Sequence, residues 1–196
     1  MAAHPADTMS AFQENMRRLL RDGTCSDVTL QVGGDEPGVF EQSVTLIKAH
    51  SNVLCAHSAV FTLELASTWK DRVTASANGV ASVADIKIPY SVTATKAALD
   101  FCYTGAIEIM AGDVVEVLDL ARHYKITVLA DAAAEMIKEQ MSVANVCVFY
   151  AKAVRFNHEQ LSEECFSFCE SNLVAVVKEE AFTALPGVVI QRLIGA

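Results

Sequence analysis

Two histidines flank a cysteine in the stretch His50-Ser51-Asn52-Val53-Leu54-Cys55-Ala56-His57. A thiol beside an imidazole is the pairing that nucleophilic catalysis uses, the imidazole drawing the proton off the sulfur. That chemistry also needs a group to orient the imidazole, and no carboxylate follows within the segment. Both histidines fall in a stretch of helical apolar spacing, where an imidazole is ordinarily a hydrogen-bonded structural group. Cys165 and Cys169 stand at i and i+4 of another helical stretch, a spacing that presents two metal ligands on one face. A structural zinc site needs a second pair, usually close in sequence, and none occurs; Phe166 and Phe168 point to apolar packing instead. Gly33-Gly34 is followed by neither Gly-x-x-Gly nor Gly-Lys-Ser and so cradles no phosphate. Glu163-Glu164 and Glu179-Glu180 are neighbours in sequence, so on a helix their carboxylates point apart into solvent. The residues that could do chemistry read as structural, and the expectation is a non-enzyme with no catalytic residue, no cofactor and no metal.

The elements around them follow from periodicity. Phe12, Met16, Leu19 and Leu20 recur at helical spacing between Thr8 and Arg21, with Arg17, Arg18 and Arg21 on the other side and Asp22-Gly23 as the stop. Such a stripe must be buried, against its own domain or against a partner. Val28, Leu30 and Val32 alternate with Thr29 and Gln31 as a half-buried strand, broken by the turn formers 33–38. Val44–Lys48 reads as the returning strand, and Asn52–Leu65 as helical with a chain turn near His57-Ser58. Asp71–Ser82 is small, polar and without period, which predicts an exposed loop. Ile86 and Ile88, stopped by Pro89, suit an edge or terminal strand. Thr93 caps a helix to Tyr103, and Ile107 and Ile109 suggest a last short strand. From Gly112 onward the pattern is helical, opening on an Asp113–Glu116 capping box before the stripe Val114, Val117, Leu118, Ala121, Tyr124. Helices follow over Thr127–Gln140, around Val146–Ala153, and around Leu161–Phe168, the last closed by Asn172. A mixed half followed by an all-helical half is the signature of an α+β domain with a helical extension.

The 196 residues, 52% of them apolar, suffice for a packed core and argue against disorder. The net charge of −9 leaves no basic patch to displace counterions from DNA or RNA, so nucleic-acid binding is not expected. No apolar run approaches the roughly 20 residues that span a bilayer, and the first residues lack a secretory pattern. The six cysteines lie singly in apolar patterns, as reduced, buried cysteines do. The expectation is a soluble cytoplasmic or nuclear protein with no membrane partner.

Four fragments, SDVTLQV (26–32), AHSNVLCAHSAVF (49–61), LDFCYTG (99–105) and VLDLARHYKI (117–126), stand in an order and spacing that resemble the BTB/POZ domain. Within them Asp27-Val28, Ala49-His50, Ser58-Ala59-Val60-Phe61 and Tyr103-Thr104-Gly105 match the family's Asp-Val, Ala-His, Ser-x-x-Phe and Tyr-Thr-Gly. The resemblance covers residues 8–140. Residues 141–196, through Asn145, Ala153, Leu161, Cys165 and Leu185-Pro186, resemble the first helices of a BACK domain. It implies a small sheet with helical hairpins, a protein-interaction role and no chemistry.

It also implies surfaces. One is a homodimer face on the leading helix, here Phe12, Met16, Leu19 and Leu20. Another is the face that many BTB–BACK proteins offer to the cullin-3 scaffold of ubiquitin ligases, here Phe61, Leu65, Trp69 and Tyr124. The hydrophobic-x-Glu that binding members carry after the Phe is absent beyond Trp69. Trp69 reads equally as an interface anchor or as a core residue. A third surface is the pocket of repressor-type dimers, here Asp27 and His50, although Ser51 stands where those proteins place a basic residue. Asp27 has a local alternative, capping or turning the chain before the strand. Two functions follow from the resemblance: a homodimeric adaptor for a cullin-3 ubiquitin ligase with an unknown substrate, or a self-association scaffold or transcriptional co-regulator outside any ligase.

Overall fold

The computed structural model describes residues 5–33, 44–75 and 84–195, with the side chains of 5–7, 68–75 and 84 outside that description. The chain is α+β: ten α-helices and three strands among the described residues. They fall into two compact units. The first is Met1–Glu108 with Leu120–Ala130, the second Ile109–Asp119 with Asp131–Ala196. The chain passes from one unit to the other within single helices.

In the first unit α1 (Pro5–Asp22) leads into β1 (Val28–Val32). The alternation read in the sequence is real: Val28, Leu30 and Val32 are buried while Thr29 and Gln31 are half-buried. β2 (Thr45–Ala49) returns antiparallel to β1, and β3 (Ala84–Ile88) lies parallel on the other side, giving the order β2-β1-β3. Register puts Leu30 opposite Ile47 on one side and Ile86 on the other, so these apolar residues share the core face. α2 (Ser51–His57) and α3 (Ala59–Ala75) form the expected hairpin, broken at Ser58 in extended backbone. α3 continues through residues 71–75, where a loop was expected, and residues 76–82 of that loop lie outside the described residues.

α4 (Val92–Thr104) is capped by Ser91 and not by Thr93: the Ser91 side chain accepts from the Ala94 N–H at 3.2 Å. It ends at Gly105, whose φ of 71° is the left-handed conformation glycine adopts without strain and whose N–H returns to the Phe101 carbonyl at 2.8 Å. Residues 106–110 form no strand, so the alternation of Ile107 and Ile109 finds no pairing partner. Leu30, Leu54, Phe61, Ile88, Leu99 and Tyr124 meet around one small apolar void in this core.

A short 3-10 turn (Ala111–Asp113) opens α5 (Val114–His123), followed by α6 (Thr127–Gln140). The five residues of the predicted stripe behind Asp113 are all buried. Asp113 and Glu116, read as a capping box, converge on Lys152 at 2.9 and 3.8 Å. That ion cluster belongs to the second unit, where α7 (Val146–Arg155) packs on α8 (Glu159–Ser171). Cys147, Cys165 and Cys169 are buried there, and burial pushes the Cys165 and Cys169 thiols up to about 12. Asn172 closes α8 with its side-chain amide on the Phe168 carbonyl at 2.9 Å. α9 (Leu173–Val176) and α10 (Gly187–Gly195) follow, and α10 is tied to α8 by the two-pronged pair of Arg192 with Glu163 at 2.7 and 3.0 Å. Not every cysteine is interior: Cys25 is exposed, on a turn with φ of 61°, and Cys55 is half-buried.

Candidate functional site

The candidate surfaces all lie in the first unit, and Asp27, His50, Ser58 and Tyr103, which fasten two of them, come from the four sequence fragments. His50 is buried, and its two ring nitrogens are both engaged. Nδ1 lies 2.6 Å from the Tyr103 hydroxyl and Nε2 lies 2.8 Å from the Thr24 carbonyl. A carbonyl only accepts, so Nε2 carries the proton and Nδ1 accepts from Tyr103. The same hydroxyl oxygen accepts from the His50 backbone N–H at 3.0 Å. This leaves neither His50 nitrogen free to draw a proton from Cys55, and His57 is exposed with its ring edge-on to Phe101, centroids 6.3 Å apart. Burial pushes the Tyr103 hydroxyl up to about 12, with the His50 N–H pulling the other way, so it stays protonated as the network requires.

Asp27 lies beside His50 at the sheet end, its N–H donating to the Ala49 carbonyl at 3.3 Å. Its carboxylate accepts from the Ser51 backbone N–H at 2.8 Å and from the Ser51 hydroxyl. The N-cap of α2 is His50, whose own side chain caps nothing, so Asp27 satisfies a first-turn donor from across the sheet end. Burial pushes the Asp27 carboxyl up, but the Ser51 hydrogen bonds and the His50 neighbourhood outweigh it, and the net displacement is downward. The candidate pair Asp27 and His50 is therefore brought together, joined through Ser51 and Tyr103, as the stitching of α2 to β1 and α4. Ser51 occupies the site of the expected basic residue by hydrogen-bonding the acid.

A second cluster joins the other motifs. The Ser58 hydroxyl donates to the Tyr124 carbonyl and accepts from the Phe61 N–H at 3.0 Å, capping α3 while holding the chain after α5. Phe61 stacks on Tyr124 with centroids 4.4 Å apart and rings 12° from parallel. Phe61, Leu65 and Tyr124 are all buried, so three of the four residues assigned to a cullin-type face are core and not surface. The resemblance locates the helices of that face, and on those helices Phe61, Leu65 and Tyr124 fall in the inward row. Solvent meets their neighbours instead, Leu63 on α3 at 73% and Val128 on α6 at 68% exposure. The Trp69 side chain lies outside the described residues.

α1 has two faces. Gln13 donates to the Thr104 carbonyl at 3.0 Å. Arg17 grips Asp100 through Nε at 3.0 Å and a second nitrogen at 3.2 Å, and reaches Glu108 at 2.7 Å. Residues 13 and 17 are one helical turn apart, so this row latches α1 onto α4. Gly23 ends the helix against β2, where an added Cβ would meet the Lys48 side chain at 2.8 Å. With α1 held by that row, Met9 is 59% exposed and Phe12 54%, while Met16, Leu19 and Leu20 are half-buried. The four predicted interface residues therefore share the helix but differ in access. Sequence reading did not single out Arg17 or Asp100, which lie 83 positions apart and carry no local signal of each other.

Among the described residues no group of three His, Cys, Asp or Glu side chains could hold a metal, and no helix is long and apolar enough to cross a membrane.

A family model for the BTB/POZ domain matches residues 16–141. Kelch-like protein 11 of Mus musculus is 26% identical over 179 residues, which is 90% of this chain and 23% of that protein. BTB/POZ domain-containing protein 17 of Homo sapiens is 28% identical over 189 residues, 94% of this chain and 36% of that protein. Among solved structures, the BTB domain of zebrafish PATZ1 matches at 20% identity and a TM-score of 0.47, covering 71% of this chain and 99% of that one. The chain thus spans about a quarter of the first of these curated relatives and little over a third of the second.

Proposed function

The chain belongs to the BTB/POZ domain family, a protein-interaction fold, and from that membership we propose that it works as a homodimer through α1 and serves as an adaptor for a cullin-3 type ubiquitin ligase. One observation carries the dimer: the row Gln13 and Arg17 fixes α1 in place while Met9 and Phe12 stay uncovered on a helix already ordered. An apolar row held rigid by its own domain costs a partner little ordering entropy, which favours self-association. Two copies then present each remaining surface twice, and avidity strengthens contacts that are individually weak. The cullin surface in this reading is the exposed part of α3 and α6 marked by Leu63 and Val128, not the buried Phe61, Leu65 and Tyr124. The helices of residues 141–196 take the place of a BACK-like extension, with Ala153, Leu161, Cys165 and Leu185 in its interior.

Sedimentation at micromolar concentration tests the dimer. The unmodified chain is expected to sediment as two copies. Phe12→Glu places a charge in the apolar row and is expected to cost about 2 kcal/mol, roughly thirtyfold in Kd. A monomer for the unmodified chain, or a dimer indifferent to Phe12→Glu, rejects it.

A further inference from the structure

A groove of about 660 Å³ runs between the end of α1, β2 and α4, lined among others by Leu20, Arg21, Ile47, Lys48, Lys96 and Leu99. Its lining takes in Thr45, Leu46, Ile47 and Lys48, four consecutive residues of β2. Side chains of a strand alternate between two faces, so a groove that touches four in a row lies along the strand's edge and not on one face. β1 occupies one edge of β2, and no strand occupies the other among the described residues. The groove therefore runs along backbone N–H and C=O groups that no strand pairs among the described residues, the template for an added strand.

Its lining also selects by charge. Leu20 and Ile47 supply apolar contact, Arg21, Lys48 and Lys96 supply cations, and Asp22, which also lines the groove, lies 3.7 Å from Arg21. Arg17, which also lines it, is spent on Asp100 and Glu108. Lys48 and Lys96 are exposed and form no ion pair among the described residues, and Arg21 has only distant partners at 3.7 and 4.0 Å. In a chain of net charge −9 this is a local concentration of uncommitted positive charge. Leu46, 64% exposed on the edge strand, adds an apolar contact.

We propose that this groove is a docking site for an extended acidic peptide segment of a partner protein, which adds as a strand to the free edge of β2. Backbone pairing with β2 would give affinity, and carboxylates against Arg21, Lys48 and Lys96 would give selectivity.

The probe is a fluorescein-labelled twelve-residue peptide of alternating valine and glutamate, read by fluorescence polarisation against the full chain. Its controls are a valine–lysine peptide and a valine–glutamate peptide N-methylated at every second residue, which removes edge donors. The acidic peptide is expected to bind, and each control to bind at least roughly tenfold more weakly. Lys48→Glu and Lys96→Glu, both at exposed positions, are each expected to weaken binding roughly tenfold at an unchanged thermal midpoint. Equal binding of the lysine peptide, or no binding at millimolar concentration, overturns the proposal. Equal binding of the methylated peptide, or full displacement by millimolar inorganic phosphate, would make it an anion site without strand addition and overturns it too. A sedimentation shift of the chain alone on Lys48→Glu would assign the edge to a second copy and has the same effect.

Discussion

Replacing Tyr103 by phenylalanine removes one oxygen from the core and leaves the ring. That oxygen serves His50 twice, accepting from its backbone N–H at 3.0 Å and donating to Nδ1 at 2.6 Å. Both residues are buried, Tyr103 at 3% exposure and His50 at 7%, so water does not readily replace it. Two buried polar groups lose their partner, each at about 1–3 kcal/mol, while the ring keeps its apolar burial. Shared desolvation of neighbouring groups makes the sum less than additive, so the expected loss is roughly 2–4 kcal/mol. For a chain of this size about 1 kcal/mol moves the midpoint by roughly 2–4 °C, so Tm is expected to fall by roughly 5–15 °C. Urea unfolding followed by circular dichroism reads the loss as a fall in midpoint at unchanged slope. Phe101→Tyr, in the same helix but outside this network, would not restore it. A loss under about 0.5 kcal/mol, within the range of ordinary surface substitutions, would refute the claim that this hydroxyl joins the Ala-His and Tyr-Thr-Gly motifs.

Two further outcomes follow from the same geometry. The Asp27 carboxyl is held below its ordinary value in the folded chain, so its contribution is present above the unfolded carboxylate range near about pH 4 and is lost as pH falls through the folded value. Asp27→Asn is expected to cost about 0.5–2 kcal/mol at pH 7 and less at pH 3, measured by urea midpoints; an equal cost at both would show that the charge does not matter. Tyr124→Ala and Leu63→Glu separate core from surface: the first loses a stacked buried ring and about 3–5 kcal/mol, the second is expected to keep its Tm and to lose co-purified cullin-3. Cullin-3 retained by Leu63→Glu would remove that surface from the adaptor reading.

Where one segment carries its own reason for its shape, the sequence was enough to see it. β1 reads from the alternation of Val28, Leu30 and Val32 because one face is buried, and α6 keeps the bounds Thr127–Gln140 that its pattern suggests. Choices that depend on another segment were not legible. Ser91 and Thr93 are both competent caps, and only the geometry of the chain after Pro89 decides for Ser91. Ile107 and Ile109 alternate like a strand, but a strand exists only with a neighbour to pair with. Residues 71–75 contain no helix breaker, so α3 runs on through a stretch whose polarity suggested a loop. The surfaces were the least visible. The family resemblance pointed to Phe61, Leu65 and Tyr124 as part of a binding face, and the fold buries all three, while apolar periodicity reports burial and marks no surface. The exposed Leu63 sits off the stripe and carries no periodic mark.

The same logic explains why the family motifs locate the fold so well and the function so poorly. The motif residues Asp27, His50 and Ser58 are intramolecular fastenings. Asp27 holds Ser51, His50 holds Tyr103, and Ser58 holds Tyr124, each joining elements that are distant along the chain. Such contacts cost stability when broken and are indifferent to which partner the domain meets. In the proposed reading, partner choice falls to exposed side chains outside these fastenings: Met9 and Phe12 on α1, Leu63 on α3, and Lys48 and Lys96 beside the outer edge of β2. None of these lies in a motif, and all can change without loss of the core. A variant set at those five positions that alters binding while Tm stays constant is the behaviour this division of labour requires.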